Sequence, residues 1–190
     1  MIPLMHKVNT VEALRKTNER FGIEVDVRER NGIIIMNHDA FADGETFENL
    51  LKNYNHKFVV VDVKCEGIET AVADMLKKYG IRNYFLLGIT LPWSLKLIRS
   101  GVRNISFHFS EIEPMGTAKN MIGKADWVWV DCFTRMPLDK ESYDFLHKHF
   151  KICLGSPDLL GRKQDIKTYK EQLKKIPIDA ICTDYPELWE

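Results

Sequence analysis

Residues 58–88 of the chain read FVVVDVKCEGIETAVADMLKKYGIRNYFLLG. The apolar run 58–63 is typical of a buried strand, and residues 68–79 place their apolar side chains on one helical face before Gly80, a residue common just after helix ends. A second apolar run follows at 84–88. A strand, a helix and a second strand in this order predict two parallel strands joined by a crossover helix.

The same alternation extends over the rest of the chain. Further strand-like runs lie at residues 4–6, 23–27, 105–109, 127–131, 151–154 and 180–183. Helical patterns lie at 9–20, with Asn9 as the candidate cap, and at 46–54, 91–100, 113–122, 140–150 and 164–174. Asn31-Gly32 is a strong turn signal, so we expect residues 33–37 to form a hairpin with the second strand. About eight strand–helix units favour a compact TIM-type (β/α)8 barrel, an α/β fold, over the alternative of an open doubly wound sheet.

Composition restricts the classes of partner. The 27 basic and 27 acidic side chains cancel, so no overall positive field indicates a nucleic acid or an anionic membrane as a partner. No apolar run is long enough for a transmembrane helix, and the first residues lack the features of a signal peptide. The four cysteines form no C-x-x-C pair, which favours reduced thiols and a cytoplasmic protein. No linker or repeat divides residues 1–190, so we expect a single domain, and the oligomeric state stays open.

The second strand carries two carboxylates at positions where a buried strand normally has none. Reactive groups of such barrels lie at the C-terminal ends of strands. Residues two apart on a strand share a face, so Glu24 and Asp26 point together, while Ile23 and Val25 point the other way. Two interior carboxylates repel each other unless a cation lies between them. Oxygen ligands suit Mg²⁺ or Ca²⁺, so the sequence predicts a divalent metal site here.

Further polar residues follow the neighbouring strands. Asp62 and Lys64 share a face of the third strand, where Asp62 is a candidate third metal ligand and Lys64 a candidate phosphate-binding cation. His6 ends the first strand and His38 follows the hairpin run. Two imidazoles can act as general base and general acid near neutral pH, while a bound metal offsets charge on a phosphate. Together these residues predict a phosphodiesterase.

The same residues, taken in order, resemble the glycerophosphodiester phosphodiesterase family, within the phosphatidylinositol phospholipase C-like superfamily. That family has a His-Arg pair, an Asn-Thr helix start, Glu-x-Asp, a His-Asp pair, Glu-x-Lys and a final Thr-Asp-aromatic-Pro segment. The corresponding segments here are His6-Lys7, Asn9-Thr10, Glu24-Val25-Asp26, His38-Asp39, Asp62-Val63-Lys64 and Thr183-Asp184-Tyr185-Pro186. The match covers nearly the whole chain.

The resemblance implies a metal-dependent hydrolase that releases an alcohol and glycerol phosphate from a small or lipid-derived glycerophosphodiester. The roles that it carries over are an acid–base pair (His6 and His38), metal ligands (Glu24, Asp26 and Asp62), phosphate-binding lysines (Lys7 and Lys64) and a possible pocket residue (Trp129). It implies Mg²⁺ or Ca²⁺ as cofactor and leaves open which histidine is the acid. It also permits attack by a neighbouring substrate hydroxyl.

Three departures from the family pattern keep alternatives open. Lys7 replaces an arginine, Asp62 replaces a glutamate, and the usual substrate-capping insertion after His38 is missing, which predicts a shallower pocket. One alternative is a phospholipase C or D type lyase that forms a cyclic phosphate. It would need an apolar rim, for which the sequence offers only Leu91-Pro92-Trp93 and Leu188-Trp189. The other is a weakened barrel that only binds a phosphorylated ligand.

Some polar residues fall outside this set. We expect Asp184 to cap the final turn rather than act in catalysis, and His56 to lie on the surface. His108 alternates with Ser106 along its strand, so both point into the barrel or form a buried pair.

Overall fold

The computed structural model describes all residues from Met1 to Glu190. Its strands are β1 (Ile2–Met5), β2 (Gly22–Arg30), β3 (Ile33–Met36), β4 (Val59–Val63), β5 (Tyr84–Leu87), β6 (Ser106–Phe109), β7 (Trp127–Val130), β8 (Lys151–Gly155) and β9 (Ala180–Thr183). Its helices are α1 (Val11–Lys16), α2 (Phe47–Lys52), α3 (Glu69–Lys78), α4 (Leu91–Arg99), α5 (Met115–Met121), α6 (Lys140–His149) and α7 (Ile166–Leu173). Short 3-10 helices cover Pro157–Leu160, Lys163–Asp165 and Pro186–Trp189.

Eight parallel strands form one nearly closed barrel. Their order is β5-β4-β2-β1-β9-β8-β7-β6, and a single parallel bridge between Leu86 and Ile105 brings the two outer strands together. The amide of Leu86 donates to the carbonyl of Asn104 at 2.9 Å, and the Ser106 hydroxyl donates to the carbonyl of Leu86 at 3.2 Å. The predicted TIM-type (β/α)8 barrel is therefore confirmed, and the alternative open sheet is wrong.

The predicted hairpin places an extra strand beside the barrel. Strand β3 pairs antiparallel with β2, with Val27 opposite Met36. Asn31 and Gly32 have φ values of 53° and 80°, in the left-handed region that a tight hairpin turn requires. Because β3 runs back along β2, the residues after Met36 lie near Val27, the last residue of β2 that pairs with β4.

Apolar side chains fill both sides of the sheet. A cluster of ten buried residues occupies the lumen, where the rings of Phe85 and Trp127 stack with centroids 4.8 Å apart. A second cluster of 39 buried residues lies mainly between the strands and the helices. A packed lumen is usual for this barrel, and it leaves space for chemistry at the C-terminal ends of the strands. None of the helices combines the length and the apolar character needed to cross a membrane.

Two local predictions need correction. Thr10, not Asn9, caps α1, because the Thr10 hydroxyl accepts from the amide of Ala13, and the helix ends at Lys16, well before Arg20. His56 is buried rather than on the surface. Its ring nitrogens lie 3.1 Å from the carbonyl of Phe21 and 3.3 Å from that of Leu14. A histidine in a loop can therefore satisfy buried backbone carbonyls and join the core.

Candidate active site

Three carboxylates converge at the C-terminal end of the barrel. Glu24 and Asp26 lie on β2, and Asp62 lies on β4, directly opposite Asp26 in the strand register. One carboxylate oxygen from each lies within 4.8 Å of the others. Glu24 and Asp26 are only 2 % and 1 % exposed, although their neighbours on β2 pack against the helices. Alternation along β2 therefore turns both acids into the lumen.

The environment of Glu24 disfavours its charged form. Burial raises the pKa of Glu24 well above its usual value, and the charges of Asp26 and Asp62 raise it further. Its Oε2 atom accepts a hydrogen bond from the amide of Lys7 at 2.8 Å, while its buried Oε1 atom has no hydrogen-bond partner. An unpaired carboxylate oxygen facing two more carboxylates fits a divalent cation that prefers oxygen ligands.

Lys64 supplies the positive charge nearest to these acids. Its Nζ atom lies 2.6 Å from Oδ2 of Asp62 and 3.2 Å from Oδ1 of Asp26. Burial lowers the pKa of Lys64, but the charges and hydrogen bonds of Asp62 and Asp26 outweigh it and raise the pKa. Lys64 thus neutralises part of the cluster from the side of β4.

Asn9 fixes the orientation of Asp26. Its side-chain amide donates to Oδ2 of Asp26 at 2.7 Å, and its Oδ1 atom accepts from the amide of Asp26 at 2.9 Å. The residue predicted as a helix cap is therefore a positioning residue of the carboxylate cluster. The second hydrogen bond anchors the Asn9 side chain to the backbone of β2, and the first holds the carboxylate of Asp26 in one orientation, which is what a metal ligand requires.

His6 lies beside the cluster and is oriented by an acid from the other end of the chain. Its Nδ1 atom lies 2.8 Å from Oδ1 of Asp184, and its Nε2 atom lies 3.9 Å from Oε2 of Glu24. The amide of Asp184 donates to buried Asp158, which fixes the start of this segment. Asp184 was expected to cap the last turn, so its pairing with His6 was missed. The Thr-Asp-aromatic-Pro segment was the available signal.

His38 lies on the rim rather than in the cluster. Its side chain is 47 % exposed, and its Nδ1 atom lies 2.8 Å from Oδ1 of Asp39. Arg28 donates to the carbonyls of Asn37 and His38, at 3.1 and 2.8 Å, and so ties this loop to β2. The hydrogen bond with His38 lowers the pKa of Asp39, with a smaller effect from the charge of Lys7.

A second imidazole–carboxylate pair, which the sequence did not reveal, lies on β6 and β7. Nδ1 of His108 lies 2.7 Å from Oδ2 of Asp131, whose Oδ1 atom accepts from the indole N–H of Trp129 at 2.7 Å. Burial lowers the pKa of His108, but Asp131, Glu113 and Asp62 together raise it. Trp129 is 6 % exposed and belongs to the apolar lumen, so most of its ring forms the wall below the mouth.

A glycine makes room for the third carboxylate. Gly88 follows β5 with a φ of 71°, and a Cβ atom there would collide with Oδ1 of Asp62 and with the carbonyl of Val63. Only glycine combines this backbone conformation with such close approach. The absence of a side chain at Gly88 therefore leaves room for the carboxylate of Asp62 at the end of β5.

Comparison with known proteins shows similarity in three dimensions only. No protein-family model matches the chain, and no curated protein matches it in sequence. A glycerophosphodiester phosphodiesterase of Agrobacterium tumefaciens superimposes with a TM-score of 0.71 and 16 % identity, over 99 % of this chain and 98 % of that one. An Oleispira antarctica phosphodiesterase, solved with its product sn-glycerol-3-phosphate, gives a TM-score of 0.71 and 14 % identity, over 100 % of this chain and 95 % of that one.

A third structure, a glycerophosphoryl diester phosphodiesterase of Parabacteroides distasonis, gives a TM-score of 0.62 and 12 % identity, over 99 % of this chain and 84 % of that one. One barrel fold hosts many unrelated chemistries, so the functional conclusion depends on the site. The resemblance inferred from the ordered motifs is thus confirmed in three dimensions: this chain folds like the glycerophosphodiester phosphodiesterases.

Proposed function

We propose that this protein is a metal-dependent phosphodiesterase that hydrolyses a glycerophosphodiester to an alcohol and glycerol phosphate. The observation that carries the proposal is the buried cluster of Glu24, Asp26 and Asp62 beside His6, with one oxygen of Glu24 left without a partner. The structural similarity to phosphodiesterases supports the same reaction class.

Glu24, Asp26 and Asp62 would hold the divalent cation, Mg²⁺ or Ca²⁺, through one oxygen each. Such a cation, when bound, offsets the charge that develops on a non-bridging phosphate oxygen. Lys64 is the residue of the cluster that would bind a second phosphate oxygen, because its ammonium group already lies among the carboxylates. Lys7, exposed on the rim next to His6, would bind the phosphate from the opposite side.

His6 and His38 would carry the protons. Because the carboxylate of Asp184 can only accept, the Nδ1 atom of His6 donates to it, and the lone pair of His6 lies on Nε2. That atom would take the proton from an attacking water or from a neighbouring hydroxyl of the substrate. His38, tied to the rim by Arg28, would return a proton to the oxygen of the departing alcohol.

The test is turnover by metal-stripped protein. A panel of glycerophosphodiesters with choline, ethanolamine and glycerol as alcohols is assayed with chelator, Mg²⁺ or Ca²⁺, recording alcohol, glycerol phosphate and cyclic phosphate. We expect hydrolysis that requires the metal and is lost in His6→Ala and His38→Ala. His147→Ala, which removes an exposed imidazole from α6, is the matched control. Full turnover in excess chelator would refute the proposal, and a cyclic phosphate as final product would replace hydrolysis with lyase chemistry.

A further inference from the structure

His108 faces the mouth of the barrel from the strand opposite that of His6. On β6, Phe107 and Phe109 belong to the apolar cluster that lies mainly between the strands and the helices, so His108 points into the lumen. Strand β6 is the fourth strand from β1 in either direction around the barrel. His6 and His108 therefore lie on opposite walls, and the carboxylate cluster on β2 and β4 lies on the arc between them.

The two histidines share one arrangement. Like His6, His108 has a carboxylate at its Nδ1 atom, here that of Asp131, whose other oxygen accepts from the indole N–H of Trp129. Because both oxygens of Asp131 are engaged, the carboxylate is fixed and orients the imidazole. The Nε2 atom of His108 has no hydrogen-bond partner in the protein, and the side chain is 42 % exposed. His108 therefore offers one free hydrogen-bonding atom to a molecule bound in the mouth.

We propose that His108 binds the alcohol that leaves the phosphate, and that this alcohol carries hydroxyl groups, as glycerol and inositol do. The position of the alcohol rests on the proposed function, in which His6 takes the proton from the attacking oxygen. An in-line displacement places the attacking and leaving oxygens on opposite sides of phosphorus. With attack from the wall of β1, the leaving alcohol faces the wall of β6. His38 protonates the leaving oxygen from the rim, while His108 contacts the rest of the alcohol.

The chemistry of this imidazole selects hydroxyl groups. Because its Nδ1–H donates to Asp131, neutral His108 presents a lone pair at Nε2, and charged His108 presents an N–H there. A hydroxyl can donate to the first and accept from the second, so the contact holds in both protonation states. A quaternary ammonium such as that of choline can do neither, and it binds on exposed aromatic faces instead. The ring that shares Asp131 with His108, that of Trp129, is only 6 % exposed.

Binding of two matched diesters, glycerophosphoinositol and glycerophosphocyclohexanol, tests the proposal, because their alcohols share ring size and charge and only inositol carries further hydroxyls. Titration calorimetry with Mg²⁺ or Ca²⁺ uses a His6→Asn background, so that binding is measured without turnover. We expect the inositol diester to bind at least about tenfold more tightly, and His108→Phe to abolish this preference. His108→Gln, whose amide both donates and accepts, should retain part of it. His147→Phe, which replaces an exposed imidazole on α6, is the matched control.

Three results would overturn the proposal. They are equal affinity for the two diesters, a preference that survives in His108→Phe, and absence of binding to both diesters. Circular dichroism of each variant shows that the fold is retained. Turnover of the same diesters by the protein with His6 intact is measured in parallel. A preference that depends on His108 without any turnover would refute the proposed function alone, whereas turnover without a preference would refute the role of His108 alone.

Discussion

His6 and Asp184 lie 178 positions apart in the chain, yet the Nδ1 atom of His6 is 2.8 Å from Oδ1 of Asp184. The pairing arises because β1 and β9 are neighbours in the barrel, with Met5 opposite Thr183 in the register. A carboxylate at this position fixes which ring nitrogen of His6 carries the proton and leaves Nε2 facing Glu24. The pairing of β1 with β9 therefore gives the candidate catalytic histidine its carboxylate partner.

Asp184→Asn should lower turnover by about two orders of magnitude while the protein stays folded. The asparagine keeps the size of the side chain but no longer holds one imidazole tautomer, and general acid–base contributions are typically ~10²–10⁴-fold. The measurement is kcat with saturating metal, alongside a thermal melt. Glu187→Gln, an exposed acid three residues further on, serves as the control. Unchanged kcat in Asp184→Asn would mean that the His6–Asp184 pair plays no part in proton transfer.

Glu24→Gln should make the metal-free protein more stable at pH 8. The pKa of Glu24 is raised in the folded state, so the folded protein retains a proton that the unfolded chain releases. The stability of the metal-free wild type therefore falls as the pH rises from the ordinary glutamate pKa of 4.5 through the folded pKa, and the variant lacks this loss. We expect a Tm increase of a few degrees, since ~1 kcal/mol corresponds to roughly 2–4 °C at this size.

Added Mg²⁺ or Ca²⁺ should stabilise the wild-type protein far more than the Glu24→Gln variant. The wild-type Tm should rise with metal concentration, because a ligand that binds only the folded state stabilises it, and the Glu24→Gln variant should respond far less. Glu12→Gln, which removes an exposed acid from α1, should behave like the wild type in both experiments. An equal metal response in Glu24→Gln would remove Glu24 from the ligand set.

Lys64→Met should raise the affinity for the divalent cation and lower turnover. In the metal-free protein the ammonium group lies 2.6 Å from Asp62 and 3.2 Å from Asp26, so it competes with a metal for the same carboxylates. Without a phosphate-binding lysine we expect kcat to fall by about 10²-fold. Isothermal titration with Ca²⁺ and steady-state kinetics measure the two effects, with Lys16→Met as an exposed control. Metal affinity that is unchanged or weaker in Lys64→Met would contradict this competition.

The fold and the carboxylates could be predicted because they depend on local periodicity. Apolar runs separated by amphipathic segments indicated parallel strands, and alternation along β2 placed Glu24 and Asp26 in the lumen. The Asn31-Gly32 turn was equally local. Each of these signals lies within about ten residues, where backbone geometry alone determines which side chains share a face.

The pairings that were missed depend on which strands become neighbours. His108 and Asp131 are 23 positions apart and meet because β6 pairs with β7, and His6 meets Asp184 only when β1 pairs with β9. Asparagine is common at helix caps, so the sequence suggested that role for Asn9. Its pairing with Asp26 depends on the register between β1 and β2, which the sequence does not reveal.

Asp131→Asn should lower the pKa of His108. Although burial opposes the charged imidazole, Asp131 contributes most to raising the pKa, with Glu113 and Asp62 adding to it. The asparagine can still accept from the indole of Trp129 but can no longer offer His108 a negative charge. Titration of the His108 ring protons by NMR measures the change, and His147, exposed on α6, provides an internal control.

The same change should alter stability in a defined pH range. A histidine with a raised folded pKa contributes stability that is fully present below the unfolded value of 6.5 and is lost as the pH rises through the folded pKa. Asp131→Asn should therefore destabilise the protein more at pH 5.5 than at pH 8.5, as denaturant unfolding at the two pH values would show. A destabilisation that is equal at both, or an unchanged His108 titration, would mean that Asp131 acts on Trp129 and the lumen packing rather than on the charge of His108.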